Sequence, residues 1–194
     1  MKKTGSTQKD AQHAPAIQAM FDAIAPRYDF LNRFLSLRRD VYWRKCLVAA
    51  AIPAGSSARN LLDVACGTGD VAIEAARQCP QSLSVWGADF SLAMLAEGKK
   101  KTAPWSDRVC LLAADAFALP FKKETFDAVT IAFGIRNIAD KPAVLEVFCR
   151  HLKKKGVLAV LELTTPQKGF LRSLYLFYFK WVLPLIGWVV SKNM

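Results

Sequence analysis

The chain has 194 residues, 53% of them hydrophobic, which suits one globular domain with a substantial buried core. It carries 27 Lys and Arg against 16 Asp and Glu, which gives a formal net charge of +11. Such a charge favours anionic partners, and we expect a membrane surface before nucleic acid. The five cysteines form no CxxC pair or Cys/His cluster, so we expect no disulfide framework and no metal site, in a reducing cytoplasm.

The N-terminal part is predicted to be a disordered tail followed by a helical cap. Residues 1–14 are polar and basic, but they lack the apolar run that follows the charged start of a signal peptide. Over residues 15–52, apolar side chains recur at helical spacing, as in Ile17, Met20, Phe21 and Ile24. We therefore expect amphipathic helices ahead of the first strand.

Residues 58–165 alternate short β-rich runs with helical stretches, which predicts crossover connections and a mostly parallel sheet flanked by helices. This is a Rossmann-like α/β core, and its ligands bind beyond the carboxyl ends of the strands. The predicted strands are Asn60–Ala65, Leu83–Ala88, Val109–Ala113, Phe126–Ala132 and Val157–Leu163, and the predicted helices are Val71–Gln78, Leu92–Lys101 and Ala143–Leu152.

Residues 168–191 are predicted to form an apolar C-terminal helix that completes a single domain over residues 15–194. The charges of Arg172 and Lys180 interrupt this segment. Its longest uncharged run, Trp181 to Val190, is too short for a transmembrane helix, which needs about 20 apolar residues. A core helix or an aromatic-rich helix at a membrane interface is expected instead.

A small-residue turn joins the first predicted strand to the next helix in the sequence LLDVACGTGD, which starts at Leu61. Gly67 and Gly69 allow the backbone to approach a ligand, and the helix N-terminus offers N–H groups. With Ala72 they also fit the dinucleotide pattern GxGxxG/A, and Asp89 lies where a ribose-binding acid falls, so NAD is an alternative. Against NAD, Asp63 would repel a pyrophosphate and attract a cationic sulfonium that carries an α-amino group.

Acids end three successive predicted strands, at Asp63, Asp89 and Asp115. Asp often starts a turn after a strand, which alone explains any one of them. Their repetition around a glycine turn indicates a site for S-adenosylmethionine, with Asp115 placed to accept the adenine amino group.

Several motifs follow one another along the chain: YDFLN from Tyr28, Trp43, DVACGTGD, DFSLAML from Asp89, ADAFALPF from Ala114, FDAVTIAFGIRN ending at Asn137 and VLAVLEL ending at Leu163. Through these motifs the chain resembles the ubiquinone/menaquinone biosynthesis C-methyltransferase family (UbiE/MenG), collinearly from about Met20 to the end. AFGIRN and the Tyr28-to-Trp43 block are the specific parts of the resemblance. The resemblance implies a class I S-adenosylmethionine-dependent C-methyltransferase that acts on a polyprenyl quinol ring.

The resemblance also implies roles for individual residues. Thr68 lies in the methionine-binding turn, Asp89 binds the ribose hydroxyls, and Asp115 with Ala116 contacts adenine; the turn itself contributes Asp63, Gly67 and Gly69. The chain departs from the family at Asp40, often His, and at Ala132, often Ser. Family members continue past the apolar helix into the final strands, so we expect those strands to be missing here.

Methylation of a ring carbon requires an ionised ring hydroxyl. A phenol with a pKa near 10 must lose its proton at neutral pH, which costs roughly 4 kcal/mol. Arg136 is the candidate for the stabilising charge, and Asn137 for a hydrogen bond to a ring oxygen. The alternatives are that Arg136 pairs with an acid and that Asn137 caps the next helix.

The general base is left open between Asp29 and Glu162, and Tyr28 with Asp29 is a candidate lid. Transfer from a sulfonium requires no metal. A polyprenyl quinol lies in the bilayer, so we expect a cytoplasmic enzyme in peripheral contact with anionic membrane. The sequence leaves a homodimer open.

Three other functions remain alternatives. One is an NAD-dependent oxidoreductase. The second is another small-molecule or RNA methyltransferase, although the chain lacks the Asn/Asp-Pro-Pro-aromatic motif after its fourth strand and no nucleic acid is expected. The third is a catalytically impaired, membrane-associated protein that binds S-adenosylmethionine.

Overall fold

The computed structural model describes residue 15 and residues 17–164. The predicted tail over residues 1–14 and the predicted helix over residues 168–191 lie outside the described residues. The chain divides into two units, Met1–Glu162 and Leu163–Met194, and every element below lies in the first. The single domain over residues 15–194 and the missing final strands therefore stay predictions.

Three helices precede the sheet, as the helical spacing predicts. Helix α1 includes residues 17–24. A 3-10 turn at Ala25–Arg27 leads into α2 (Tyr28–Leu35), and α3 spans Arg39–Ala51. Leu37 and Arg38, between α2 and α3, adopt positive φ angles of 50° and 63°, and the chain turns there. Helix α3 packs its buried face, with Leu47 and Val48, against the sheet.

Five parallel strands form the sheet in the order β3-β2-β1-β4-β5. All the predicted strands and helices of the core are confirmed, and most ends lie within two residues of the prediction. The strands are β1 (Asn60–Val64), β2 (Ser84–Asp89), β3 (Val109–Ala113), β4 (Phe126–Ala132) and β5 (Leu152–Leu161), and the helices between them are α4 (Asp70–Gln78), α5 (Leu92–Thr102) and α6 (Lys141–His151).

Strand β5 begins at Leu152, earlier than the predicted Val157. Leu152 pairs with Phe126 of β4 and Val157 pairs with Ala128, so the basic run that starts at Lys153 lies in an irregularity between these two pairs. Lys153 Nζ donates to both carboxylate oxygens of Asp127 at 2.9 Å, which holds the irregular pairing. This ion pair spans a long stretch of sequence, and local periodicity does not reveal it.

Both faces of the sheet are buried. Leu61 faces α3, α4 and α5, and Leu62 faces the cluster that contains Val144 and Phe148 of α6; both leucines are fully buried. Burial on both faces is typical of parallel sheets. The strand order reverses between β1 and β4, so the turns that follow these two strands meet at one edge, where ligands bind in such sheets.

Candidate functional site

The turn after β1 is shaped for close approach. Gly67 and Gly69 have φ angles of 54° and 78°, which favour glycine. The Gly69 N–H donates to the Cys66 carbonyl at 2.9 Å, which closes the turn. From the neighbouring turn after β4, Gly134 comes so near that a Cβ on it would lie 2.8 Å from the Ala65 Cβ. The turn after β1 and the turn after β4 are therefore in direct contact.

Asp63 lies buried at the end of β1, 1% exposed. Its Oδ1 accepts the Thr130 hydroxyl at 2.8 Å, whereas Oδ2 has no hydrogen-bond partner among the described residues. Burial raises the pKa of Asp63 to about 7, although the Thr130 hydrogen bond and the charge of Arg44 oppose the rise. A buried carboxylate oxygen without a donor is costly, so this side chain fits a cationic group of a ligand.

A small cavity of about 20 Å³, enough for about one water molecule, opens beside Asp63. It brings together four of the residues predicted from the sequence, namely Tyr28, Asp63, Gly67 and Thr68. Arg44, which was not predicted, lines the same cavity. The cavity therefore has a carboxyl group, from Asp63, and a guanidinium cation, from Arg44, beside the glycine turn.

Arg44 is a buried cation, 5% exposed, on α3. Its Nη1 bonds the Asp40 carboxylate and lies 3.5 Å from Asp70 Oδ2, and its guanidinium sits 5.4 Å from the Phe133 ring centroid. No described residue accepts a hydrogen bond from Nε or Nη2. A guanidinium has five N–H donors, so Arg44 retains donors for an anionic ligand group in the cavity.

Charged side chains connect the helical cap to the glycine turn after β1. Asp29 accepts the Thr68 hydroxyl at 2.6 Å and also binds the Lys101 ammonium. Lys101 donates in turn to Asp70 at 2.7 Å. Burial raises the pKa of Asp70, but the charges of Arg44 and Lys101 outweigh burial and lower it below its usual value. Cap and core thus share a network of opposite charges.

Tyr28 lies over the glycine turn, with a ring carbon 3.8 Å from the position of a Cβ on Gly67. Burial raises the pKa of the Tyr28 hydroxyl, while a hydrogen bond to Asn32 and the charges of Arg44 and Arg136 oppose the rise. Tyr28 and Asp29 are therefore placed as the predicted lid would be, and their action as a lid stays a prediction.

Asp89 holds the turn at the end of β2. Its Oδ2 accepts the Gly67 N–H at 2.7 Å, and its Oδ1 accepts the Ser91 N–H at 2.9 Å. Burial raises the pKa of Asp89, and the hydrogen bonds from Ser91 and Gly67 oppose the rise. Each carboxylate oxygen keeps a second lone pair, so the backbone bonds leave capacity for ribose hydroxyls.

Asp115 and Ala116 follow β3, two strands away from β1. Asp115 is exposed, and its Oδ1 accepts the Phe117 N–H at 2.9 Å, which is the local turn that Asp often makes. Neither residue belongs to the described lining of the cavity. The order of the strands still places them on the Asp89 side of the turn, where the predicted adenine contact would lie.

Arg136 and Asn137 lie in the 3-10 turn after β4. Arg136 Nη1 donates to Glu162 Oε1 at 3.1 Å, and its backbone N–H donates to Oε2 at 3.2 Å. The acid partner expected as an alternative is therefore present, although the Arg136 side chain stays 52% exposed. The capping alternative for Asn137 is wrong, because Asp140 caps α6 by accepting the Ala143 N–H at 3.0 Å.

Sequence reasoning missed three residues of this site. The sequence around Arg44 did contain a pattern that indicates an ion pair, since Asp40 stands four residues before it on a helix, a spacing at which opposite charges meet. No local sequence pattern indicates Thr130 or Lys101. Thr130 lies 67 positions from its partner Asp63, and Lys101 lies 72 positions from Asp29.

The charges around the cavity are complementary to the methionine end of S-adenosylmethionine, which carries an α-amino cation and an α-carboxylate. Among the described residues, Asp63 offers an oxygen without a hydrogen-bond partner, and Arg44 offers free N–H donors. A dinucleotide pyrophosphate in the same turn would face the Asp63 carboxylate, which argues against NAD. Within residues 17–164, no group of three or more His, Cys, Asp and Glu is arranged to hold a metal ion, and no helix is long and apolar enough to cross a bilayer.

Known proteins resemble this chain over most of its length. A model of the ubiE/COQ5 methyltransferase family matches residues 6–194. The ubiquinone/menaquinone biosynthesis C-methyltransferase UbiE of Geotalea uraniireducens is 47% identical over 178 residues, 91% of this chain and 75% of that protein. The demethylmenaquinone methyltransferase of Thermus thermophilus is 45% identical over 174 residues, which cover 90% of this chain and 78% of that protein. A solved SAM-dependent methyltransferase from Thermotoga maritima shares the fold, with a TM-score of 0.60 at 24% identity over 82% of this chain and 67% of that one.

Proposed function

The chain belongs to the ubiE/COQ5 methyltransferase family, and we propose that it transfers the methyl group of S-adenosylmethionine to a ring carbon of a polyprenyl quinol in menaquinone or ubiquinone biosynthesis. The names of its relatives support the quinol ring as acceptor. Asp63 lines the cavity beside the glycine turn, and its buried Oδ2 has no hydrogen-bond partner among the described residues; this observation carries the cofactor part of the proposal.

The cofactor is held by its charged and polar ends in this proposal. Asp63 binds the α-amino group and Arg44 the α-carboxylate, while the Gly67 to Gly69 turn with Thr68 holds the methionine chain. These assignments are supported by the burial of both ionic side chains in one cavity. Asp89 binds the ribose hydroxyls, and Asp115 with Ala116 contacts adenine.

The chain must also stabilise the acceptor. When bound, S-adenosylmethionine supplies an electrophilic methyl group, which the nucleophilic ring carbon takes as its own proton goes to a base and S-adenosylhomocysteine leaves. Arg136 stabilises the ionised ring hydroxyl and Asn137 donates to a ring oxygen. Arg136 lies in the 3-10 turn after β4, which packs against the turn after β1, and this position supports its role at the site.

Asp29 and Glu162 are both candidates for the general base. Asp29 already accepts the Thr68 hydroxyl and the Lys101 ammonium at the cofactor turn. Glu162 follows β5, lies next to the turn that bears Arg136, and keeps its side chain 15% exposed. The Glu162 carboxylate accepts from the Arg136 side chain and backbone N–H, so both candidates are engaged with a cation.

The acceptor implies where the enzyme works. A quinol with a polyprenyl tail stays in the bilayer, so we propose a cytoplasmic protein in peripheral contact with the anionic inner face of the membrane. The net charge of +11 supports this location.

The test is binding followed by turnover. We expect calorimetry to show that S-adenosylhomocysteine binds and that NAD at the same concentration does not. With S-adenosylmethionine and a demethylated quinol, mass spectrometry should show the gain of one methyl group. Binding without methylation of either a naphthoquinol or a benzoquinol would contradict the acceptor, and failure to bind S-adenosylhomocysteine would contradict the cofactor site.

A further inference from the structure

Helix α2 has two chemically different faces. Tyr28 and Asp29 point to the cofactor turn, which they contact. On the other side, Phe30 and Phe34 are 64% and 51% exposed and stack with their ring centroids 5.9 Å apart, and Leu37 beyond the helix end is 85% exposed. A cluster of exposed apolar side chains is a candidate interaction site.

Exposed cations lie close in sequence to this apolar stripe. Residues 27–48 contain six Lys and Arg and two Asp. Both acids are engaged within the protein, Asp29 with Lys101 and Asp40 with Arg44. The local surface is therefore strongly positive. Four exposed cations of this segment make no ion pair with a described residue: Arg27, Arg38, Arg39 and Lys45.

We propose that Phe30, Phe34 and Leu37, together the docking face, insert into the interface of an anionic phospholipid bilayer. Arg38 and Arg39, next to Leu37, bind the phosphates of the lipid headgroups. An apolar stripe bordered by cations matches the layers of such a bilayer, where acyl chains lie beneath anionic headgroups. Charge complementarity thus selects a lipid surface as the occupant.

Docking in this way places the active site at the membrane. Tyr28 at the cavity and Phe30 on the docking face are two residues apart on one helix, whose diameter is about 10 Å. Insertion therefore holds the rim of the cavity at the interface, where a lipid-dissolved acceptor arrives. This consequence rests on the proposed quinol substrate, whereas binding to the bilayer itself does not.

Vesicle sedimentation tests the docking face. We expect the protein to bind vesicles of phosphatidylcholine with phosphatidylglycerol more tightly than pure phosphatidylcholine, and less tightly as salt rises. The triple variant Phe30→Ser, Phe34→Ser, Leu37→Ser and the double variant Arg38→Gln, Arg39→Gln should each lower partition into anionic vesicles about tenfold.

The controls remove one exposed apolar side chain and two exposed cations elsewhere on the surface. Leu92→Ser removes a side chain that is 66% exposed, and Lys122→Gln with Lys123→Gln removes two neighbouring exposed cations. Both controls should bind vesicles like the unaltered protein. The proposal is overturned if the docking variants bind like the controls. It is also overturned if they turn a dimer into a monomer in sedimentation equilibrium while vesicle binding stays unchanged.

Enzyme assays separate docking from the proposed function. The docking variants should keep their affinity for S-adenosylhomocysteine and their activity on a short-chain, water-soluble quinol, and lose activity on a long-chain quinol in vesicles. Loss of activity on both quinols by the docking variants alone would overturn the proposal, because it would indicate damage to the site. If even the unaltered protein methylates neither quinol while vesicle binding still depends on the docking face, the proposed function fails and docking stands.

Discussion

Asp63 connects cofactor binding to pH. Its pKa of about 7 means that the carboxylate is only about 3% ionised at pH 5.5 and about half ionised at pH 7. The ionised form attracts the α-amino cation of the ligand, so affinity should rise with pH over this window. We expect S-adenosylmethionine to bind roughly tenfold more tightly at pH 7 than at pH 5.5, as measured by calorimetry.

Replacing Asp63 by Asn provides the control for this pH effect. Asn keeps the shape and can still accept a hydrogen bond from Thr130, but it does not ionise. The variant should bind weakly and with almost the same affinity at both pH values. A variant that kept the pH dependence of the unaltered protein would assign the effect to another group and remove Asp63 from the amino site.

Arg136→Lys tests the stabilising charge on the acceptor. Lys keeps the charge but lacks the fork of donors that a guanidinium offers to an oxyanion and to Glu162. We expect turnover on the quinol to fall by about tenfold to a hundredfold, with unchanged affinity for S-adenosylhomocysteine. Arg150→Lys alters a surface arginine that lies 3.7 Å from Glu146 on α6, and it should leave turnover unchanged. Equal turnover in both variants would exclude Arg136 from the reaction.

The residues of the site were predictable where the sequence pattern that indicates them lies within one short segment of the chain. Asp63, Gly67 and Thr68 belong to a single strand-turn-helix segment, and the cavity brings them together. Arg44 reaches the same cavity from α3, and nothing near it in the sequence gives its distance from β1. Its assignment required the packing of the cap against the sheet, which is a tertiary property.

At the scale of elements, α5 must approach the cofactor turn closely. A Cβ on Gly98, in the middle of α5, would lie 2.7 Å from Leu111 Cδ1 and 3.2 Å from the backbone carbonyl carbon of Thr68. Gly98→Ala would therefore push α5 away from the turn, despite the better helix propensity of Ala. We expect the free energy of unfolding to fall by about 1–3 kcal/mol and cofactor affinity to fall with it, as in overpacked cores.

The exposed neighbour Ala96 on the same helix provides a comparison for Gly98. Ala96→Ser changes a surface position and should alter the free energy of unfolding by less than about 0.5 kcal/mol. Urea denaturation measures both variants. If Gly98→Ala proved as stable as the unaltered protein, the close contact between α5 and the Thr68 backbone would not constrain the fold.

The strands and crossover helices were predictable because each has a local pattern that agrees with its tertiary place. The adjacent residues Leu61 and Leu62 point to opposite faces of their strand, and both are apolar. The sequence alone therefore indicates a strand that is buried on both faces, without knowledge of the neighbouring strands. The start of β5 was not predictable. Three lysines follow Leu152, and the strand includes them only through the irregular register with β4, where Lys153 contacts Asp127.

For the whole molecule, the described cap and sheet meet at the cofactor cavity, so ligand binding should stabilise them together. Tyr28 and Arg44 come from the cap, whereas Asp63 and Thr68 come from the core, and all four line one cavity. A ligand at 100 times its dissociation constant adds about 2.7 kcal/mol to stability. For a chain of this length, that energy raises the melting temperature by roughly 5–10 °C.

We therefore expect S-adenosylhomocysteine to raise the melting temperature by that amount in one cooperative transition, followed by circular dichroism. NAD at the same concentration should shift it by less than about 1 °C, because Asp63 repels its pyrophosphate. Lys101→Gln removes a cation that joins Asp29 of the cap to Asp70 of the core, so the stabilisation by S-adenosylhomocysteine should shrink. Lys100→Gln, next to it, breaks only an exposed pair with Glu97 and should leave the stabilisation intact. Equal stabilisation of both variants would mean that the cap closes on the ligand without this charge network.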